Sequence, residues 1–300
     1  MRVLPGIPVT DAILTSSTVA ENDHAAWSSG TTYAAGARVI LASTHRIYES
    51  VQASNTNHDP TTDDGTWWAD MGPTNRWKMF DVERSTGTTS ATAITVVLTP
   101  GERFDSIALT GLIGTSVTIA VTVGGDPIYS HTETLSARVV TSWYEYLVTP
   151  FSYKSVVARF DIPPVTGAVL TLTVEPRDGA ASIGGLLFGR SVYIGATQYD
   201  AVSDVLNFST VSRDAFGIAT LTKRRNVPKT TSRVLIPSAK IAQALLLREE
   251  LNATPAFWSG VDDAANAYFE PLQVLGFYRQ FAINAKYPSH AEATIELEEV

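Results

Sequence analysis

Ser116-Val117-Thr118-Ile119-Ala120-Val121-Thr122-Val123 is the stretch whose reading decides the fold. Val117, Ile119, Val121 and Val123 fall on one side of an extended chain, and the smaller Thr118, Ala120 and Thr122 on the other. That two-residue period belongs to a strand with one face on a core. Outward from it, segments 93–98, 106–109, 127–132, 156–160 and 168–174 are equally rich in β-branched residues. Pro-Gly, Gly-Gly-Asp-Pro, Pro-Pro and Arg-Asp-Gly turns separate them. Short strands between regular turn signals predict a β-sandwich of jelly-roll type over 75–195, uninterrupted by a long amphipathic helix. Gly184-Gly185-Leu186-Leu187-Phe188-Gly189-Arg190 lacks the lysine and hydroxyl residue of a phosphate-binding loop, so it reads as a sharply turned strand.

Composition changes on both flanks of this section. Residues 1–22 read as an arm with one or two short strands, broken by Pro5 and Pro8. Residues 23–74 hold His24, His45, His58, Trp27, Trp67 and Trp68 among turn residues, with strands at 37–41 and 46–52. A unit of that size is near the lower limit for independent folding, so its aromatics are needed first as core. Residues 196–300 read as an α+β domain. Segments 207–212 and 218–223 flank the hairpin-like turn Asp214-Ala215-Phe216-Gly217. Ser238 can cap a helix whose Ile241, Leu245, Leu246 and Leu251 form an apolar stripe, and strands at 272–282 and 291–298 follow. The expected fold class is therefore mainly β and multidomain: a small β module, a jelly-roll sandwich and a C-terminal domain with one helix on an antiparallel sheet.

Of the 300 residues, 44% are hydrophobic and only 17% charged, against about 25% charged in a typical domain. Low charge suits a subunit whose surface is partly covered by neighbours. The net charge of −8 argues against a nucleic-acid partner, and Lys223-Arg224-Arg225 reads as a solvated loop or strand end. The chain has no cysteine, which removes disulfides, thiolate metal sites and cysteine nucleophiles together. No apolar run approaches a signal peptide or a bilayer span, so the expectation is a protein made without a secretion signal and not inserted in a membrane.

Catalytic signatures are thin, with no Gly-x-Ser-x-Gly elbow, His-Glu-x-x-His helix or phosphate-binding loop. The carboxylate pairs Asp63-Asp64, Glu102/Asp105 and Asp262-Asp263 lie in turns or polar loops, where aspartate serves the backbone. His131-Thr132-Glu133 and the trio Asp59, Asp63 and Asp64 match no recognised ligand pattern. No enzyme activity, metal or cofactor is expected.

Residues 26–39, Ala-Trp-Ser-Ser-Gly-Thr-Thr-Tyr-Ala-Ala-Gly-Ala-Arg-Val, resemble the start of small carbohydrate-binding modules of the chitin-binding type. Trp27, Tyr33, the Gly36-x-x-Val39 run, the strand around Tyr48, Asn57-His58-Asp59-Pro60 and the closing Trp67-Trp68 carry the likeness. The resemblance implies stacking of sugar C–H faces on an exposed aromatic, with Trp67, Trp68, Tyr48 and Tyr33 as glycan-binding candidates. Trp27, Tyr33 and Tyr48 read mainly as core, and one of Trp67 and Trp68 should be buried, since strand neighbours point to opposite faces. Such modules often carry exposed aromatics just past the position of Tyr48, where this chain has Val51-Gln52-Ala53-Ser54.

A wider resemblance is to bacteriophage tail and virion structural proteins. It rests on Asn75-Arg76-Trp77-Lys78-Met79-Phe80-Asp81 directly after the module, Phe104-Asp105-Ser106-Ile107-Ala108-Leu109, residues 189–199, and Gly276-Phe277-Tyr278-Arg279-Gln280-Phe281. The sandwich resembles galactose-binding, discoidin-type jelly rolls. The likeness implies a tail subunit of the distal or baseplate region, made in the host cytoplasm and resident in the virion. Its implied partners are copies of itself in a ring and other tail proteins. A host-surface glycan-binding protein is the second reading, and a polysaccharide hydrolase the third.

Overall fold

The computed structural model describes residues 1–83, 86–138, 140–263 and 269–300. The chain is mainly β, and the described residues form seven sheets with antiparallel pairing throughout and one helix of substantial length. The deciding stretch is a strand, Ser116–Val123. It sits inside a five-stranded sheet ordered Asp126–Thr134, Ser116–Val123, Ala168–Glu175, Ile94–Leu98 and Leu14–Ser17. Val117, Ile119 and Val121 are buried with Val123 partly so, and Ala168, Leu170, Leu172 and Val174 repeat the alternation in the neighbouring strand.

A three-stranded sheet of Val157–Arg159, Ser106–Thr110 and Gly185–Gly189 covers the inner face of the five-stranded one. Ile107, Leu109, Val157, Leu186 and Phe188 meet Val96, Val117, Ile119, Leu170 and Leu172 there in a single core. Ser106–Thr110 and Gly185–Gly189 are buried at every residue, the mark of strands covered on both faces. Their second face, through Ala108, Ala158 and Leu187, packs on Leu4, Phe257 and Leu275. Those last three residues belong to an eight-stranded sheet, so three sheets stack in succession. Gly184 marks the break between Ala181–Ile183, which pairs with Thr88–Ser90, and Gly185–Gly189 in the middle layer.

Six strands of the eight-stranded sheet follow the order Val192–Tyr193, Arg2–Leu4, Ala256–Ser259, Gln273–Asn284, His290–Glu299, Asn226–Pro237. Ala196–Thr197 and Val202–Asn207 line the outer edge of the last. The arm is thus stitched into two sheets, with Arg2–Leu4 in this one and Leu14–Ser17 in the sandwich. Strand Asn226–Pro237 has Thr230 and Ser232 pointing inward with Val234 and Ile236, so its apolar alternation is disguised in the sequence.

Two expectations for the C-terminal helix, its cap and its stripe, need correction. Helix α2, Ile241–Glu250, follows a 3-10 turn at Ser238–Lys240, and no side chain caps it. Its buried residues are Ala244 and Leu247, with Leu251 just beyond, packed under Trp258, Phe281 and Ile295. Ile241 and Leu251 of the expected stripe do pack on the sheet, but Leu245 and Leu246 are exposed, and Ala244 and Leu247 take the inward positions between them. A second, short helix, α1 at Trp143–Val148, interrupts the sandwich section.

Candidate interaction surfaces

The small module is built on the sheet Arg38–Leu41, Arg46–Ser50 and Trp68–Pro73. Trp68 is 3% exposed and Tyr48 7%, and with Val39 they form its core. Trp68 Nε1 donates to the His58 carbonyl at 2.9 Å, and Tyr33 meets its ring edge-on at 5.2 Å. The Tyr33 hydroxyl accepts from Ser28 N–H at 2.8 Å. Trp68 and Tyr48 therefore present no ring face to a sugar, and Tyr33 is half-buried. Trp67 is half-buried at the edge of the same core, with the His58 ring stacked on it at 3.8 Å and 10°. Asp63 accepts the backbone N–H groups of Gly65, Trp67 and Trp68, so it holds the Trp pair in place. His58 is aimed by Asn55, whose Oδ1 lies 2.9 Å from Nδ1.

Most of the acidic candidates are absorbed by structure in the same way. Asp59 and Asp64 close turns with Thr61 and Thr66. The Thr66 hydroxyl and N–H hold the Asp64 carboxyl below its ordinary range. Asp105 accepts from Ser191 N–H at 2.8 Å, and Asp262 pairs with Arg2 at 3.0 Å. Glu133 lies 3.7 Å from His131 but 2.8 Å from the Lys154 ammonium. Among the described residues no three His, Asp or Glu side chains converge as a metal site would require, and no helix is long and apolar enough to cross a membrane.

Two surfaces stand out instead, and both expose large apolar side chains. The first is α1 and the loop after it. Ser142 Oγ accepts the Glu145 N–H at 3.2 Å, and Glu145 Oε2 accepts the hydroxyl and N–H of Thr141 at 2.6 and 2.7 Å. This reciprocal cap nucleates a helix with no buried residue at all. The two Thr141 bonds, hydroxyl first, hold the Glu145 carboxyl below its ordinary range. Trp143 is 83% exposed, and Tyr144, Tyr146, Leu147 and Phe151 are also exposed. Arg138 braces the loop from beneath: its guanidinium donates to the Tyr146 carbonyl and lies 4.6 Å from the Phe151 ring centre. A groove of about 490 Å³ runs between Val140, Thr141, Ser142, Trp143 and Tyr146. The sequence did hold the signal, since Thr141-Ser142-x-x-Glu145 before an apolar run is a capping pattern.

The second surface is a hairpin, Thr210–Arg213 with Ala219–Thr222, which pairs with no other strand among the described residues. Asp214 Oδ1 accepts the N–H groups of Phe216 and Ile218 at 2.9 Å, and Gly217 takes φ +82°, which closes the turn. The expected turn at 214–217 is therefore present, although the strand before it starts at Thr210 and a separate strand ends at Asn207. Phe216 is 90% exposed and Leu221 76%, with Phe208, Val211 and Ile218 beside them. A two-stranded hairpin is marginal alone in water, and one that turns this many apolar groups outward is a surface built to be covered.

No protein-family model, curated protein or solved structure matches the chain.

Proposed function

We propose that this chain is a structural subunit of a bacteriophage tail, in its distal or baseplate region, and that it assembles with copies of itself and with other tail proteins. The observation that carries the assembly part is the pair of exposed apolar surfaces, α1 with its loop and the Thr210–Thr222 hairpin. Aromatic and arginine side chains on such a surface are the usual anchors of protein contacts. The phage part rests on the sequence resemblance that runs through residues 75–81, 104–109 and 189–199. In this reading the sandwich is a jelly roll, the protein is not an enzyme, and its place is the virion after synthesis in the host cytoplasm. The test is immunogold labelling of phage particles with antibody against the chain. Label clustered at one tail end supports the reading. Absence of label from intact and disrupted particles, where known virion proteins label normally, rejects it.

Host-surface glycan binding is the second reading, and half-exposed Trp67 beside the acidic turn Asp63-Asp64 favours it. A displayed glycan-binding module is compatible with a ring subunit.

A further inference from the structure

The hairpin's charge, set against that of the rest of the chain, and the aromatic chemistry of the α1 patch supply a partner. Segment 208–225 carries Arg213, Lys223, Arg224 and Arg225 against the single Asp214, a net +3. The whole chain is −8, so its other residues carry −11. A basic, apolar hairpin on an otherwise acidic protein is attracted to another copy of that protein. The α1 surface offers what such a hairpin needs: the open groove beside Trp143, and indole and phenol faces that bind both apolar groups and cations.

Resting on the assembly reading, we propose that the Thr210–Thr222 hairpin of one copy docks on the α1 surface of a second copy. Phe216, Ile218 and Leu221 enter the Val140–Trp143 side of the groove, and the basic residues at the hairpin's ends lie over Trp143 and Tyr144. The two halves of this contact are different patches of one chain, so the contact is head-to-tail. Repetition closes a ring or extends a filament. Each patch is smaller than the roughly 20–30 residues per side of a stable interface. A single contact is consequently weak and salt-sensitive, and a closed ring gains from engaging every copy twice.

The test is sedimentation velocity on the full chain across protein concentration and salt, with two variants at exposed positions. F216D/L221D disables the hairpin, and W143A/L147D disables the α1 surface. Because all four side chains lie outside the cores, melting temperature should stay unchanged in both variants. The wild type is expected to self-associate, and more weakly as salt rises. Each variant should lose that association by about 30-fold or more. Mixing the two variants should restore a complex that stops at one copy of each, since a single intact hairpin meets a single intact groove. A wild type that stays monomeric overturns the proposal, as does persistent association in either variant or failure of the mixture to pair. Association that survives in the variants leaves the tail-subunit reading standing with another interface. Only the particle-labelling experiment can remove that reading.

Discussion

At the scale of single residues, side-chain direction decides which aromatics can act. Trp67 and Trp68 are adjacent, yet one is packed in the module core and the other leans on His58 at its surface. On the glycan reading, Trp67→Ala should lose retention on immobilised polysaccharide while the protein stays folded, with a smaller fall in melting temperature than Trp68→Ala. Trp68→Ala should instead cost about 3–5 kcal/mol of module stability, as a truncated buried aromatic does. Full retention in the Trp67 variant would dispose of the glycan reading.

Asp81 gives a residue-scale prediction in pH. Burial raises its pKa, against the opposing bonds from the Thr86 hydroxyl and Glu83 N–H. The folded protein therefore holds this proton more tightly than the unfolded chain. The stability it contributes is complete below the ordinary carboxylate range, about pH 4, and declines as pH rises through the raised folded value. Asp81→Asn removes that titration. The variant should gain on the wild type as pH climbs from about 3 to 7, read as the difference between their melting temperatures. A constant difference would mean the carboxyl is not destabilised by burial.

At the scale of elements, α2 separates apolar pattern from apolar contact. Ile241, Ala244, Leu247 and Leu251 face the sheet, whereas Leu245 and Leu246 face outward. Leu247→Ala should destabilise by about 2–5 kcal/mol. Leu246→Ala should fall within about 0.5 kcal/mol of the wild type. Chemical denaturation distinguishes them, and equal effects would contradict the packing. Six of the seven positions from Ile241 to Leu247 are apolar, so several stripes are possible, and only the opposing sheet selects one. Asn226–Pro237 shows the converse. Thr230 and Ser232 occupy inward positions that a hydrophobicity pattern assigns to loop, because pairing with Leu297 and Ile295 places them in the sheet whatever their polarity.

At the scale of the molecule, the three stacked sheets bind the sandwich to the C-terminal region. The expected boundary at 195/196 runs beside a packed contact: Ala108, Ala158 and Leu187 lie against Leu4, Phe257 and Leu275. Calorimetry should show these two regions melting in one transition. A fragment ending at residue 199 should expose that face and bind a hydrophobic dye or aggregate. A well-behaved, fully folded fragment would show that the middle layer is stable with one face bare. Gly276 belongs to the same argument, because a Cβ there would collide with the Glu298 carbonyl across the sheet.

The sequence by itself determined the β class, the sandwich strands, the 214–217 turn and the need for aromatic residues in the small module. Those features follow from local causes: a two-residue period, β-branched side chains, and turns that demand Gly, Asp or Pro. The cap of α1 was equally local, in Thr141-Ser142-x-x-Glu145, and legible to anyone who weighed it. Only the tertiary structure decided which Trp is fully buried, which stripe of α2 is buried, that the middle sheet is covered twice, and that α1 and the hairpin keep their large apolar side chains exposed among the described residues. Burial is a relation between segments far apart in the chain, and an apolar residue carries no local mark of whether its partner lies within the same molecule or in another.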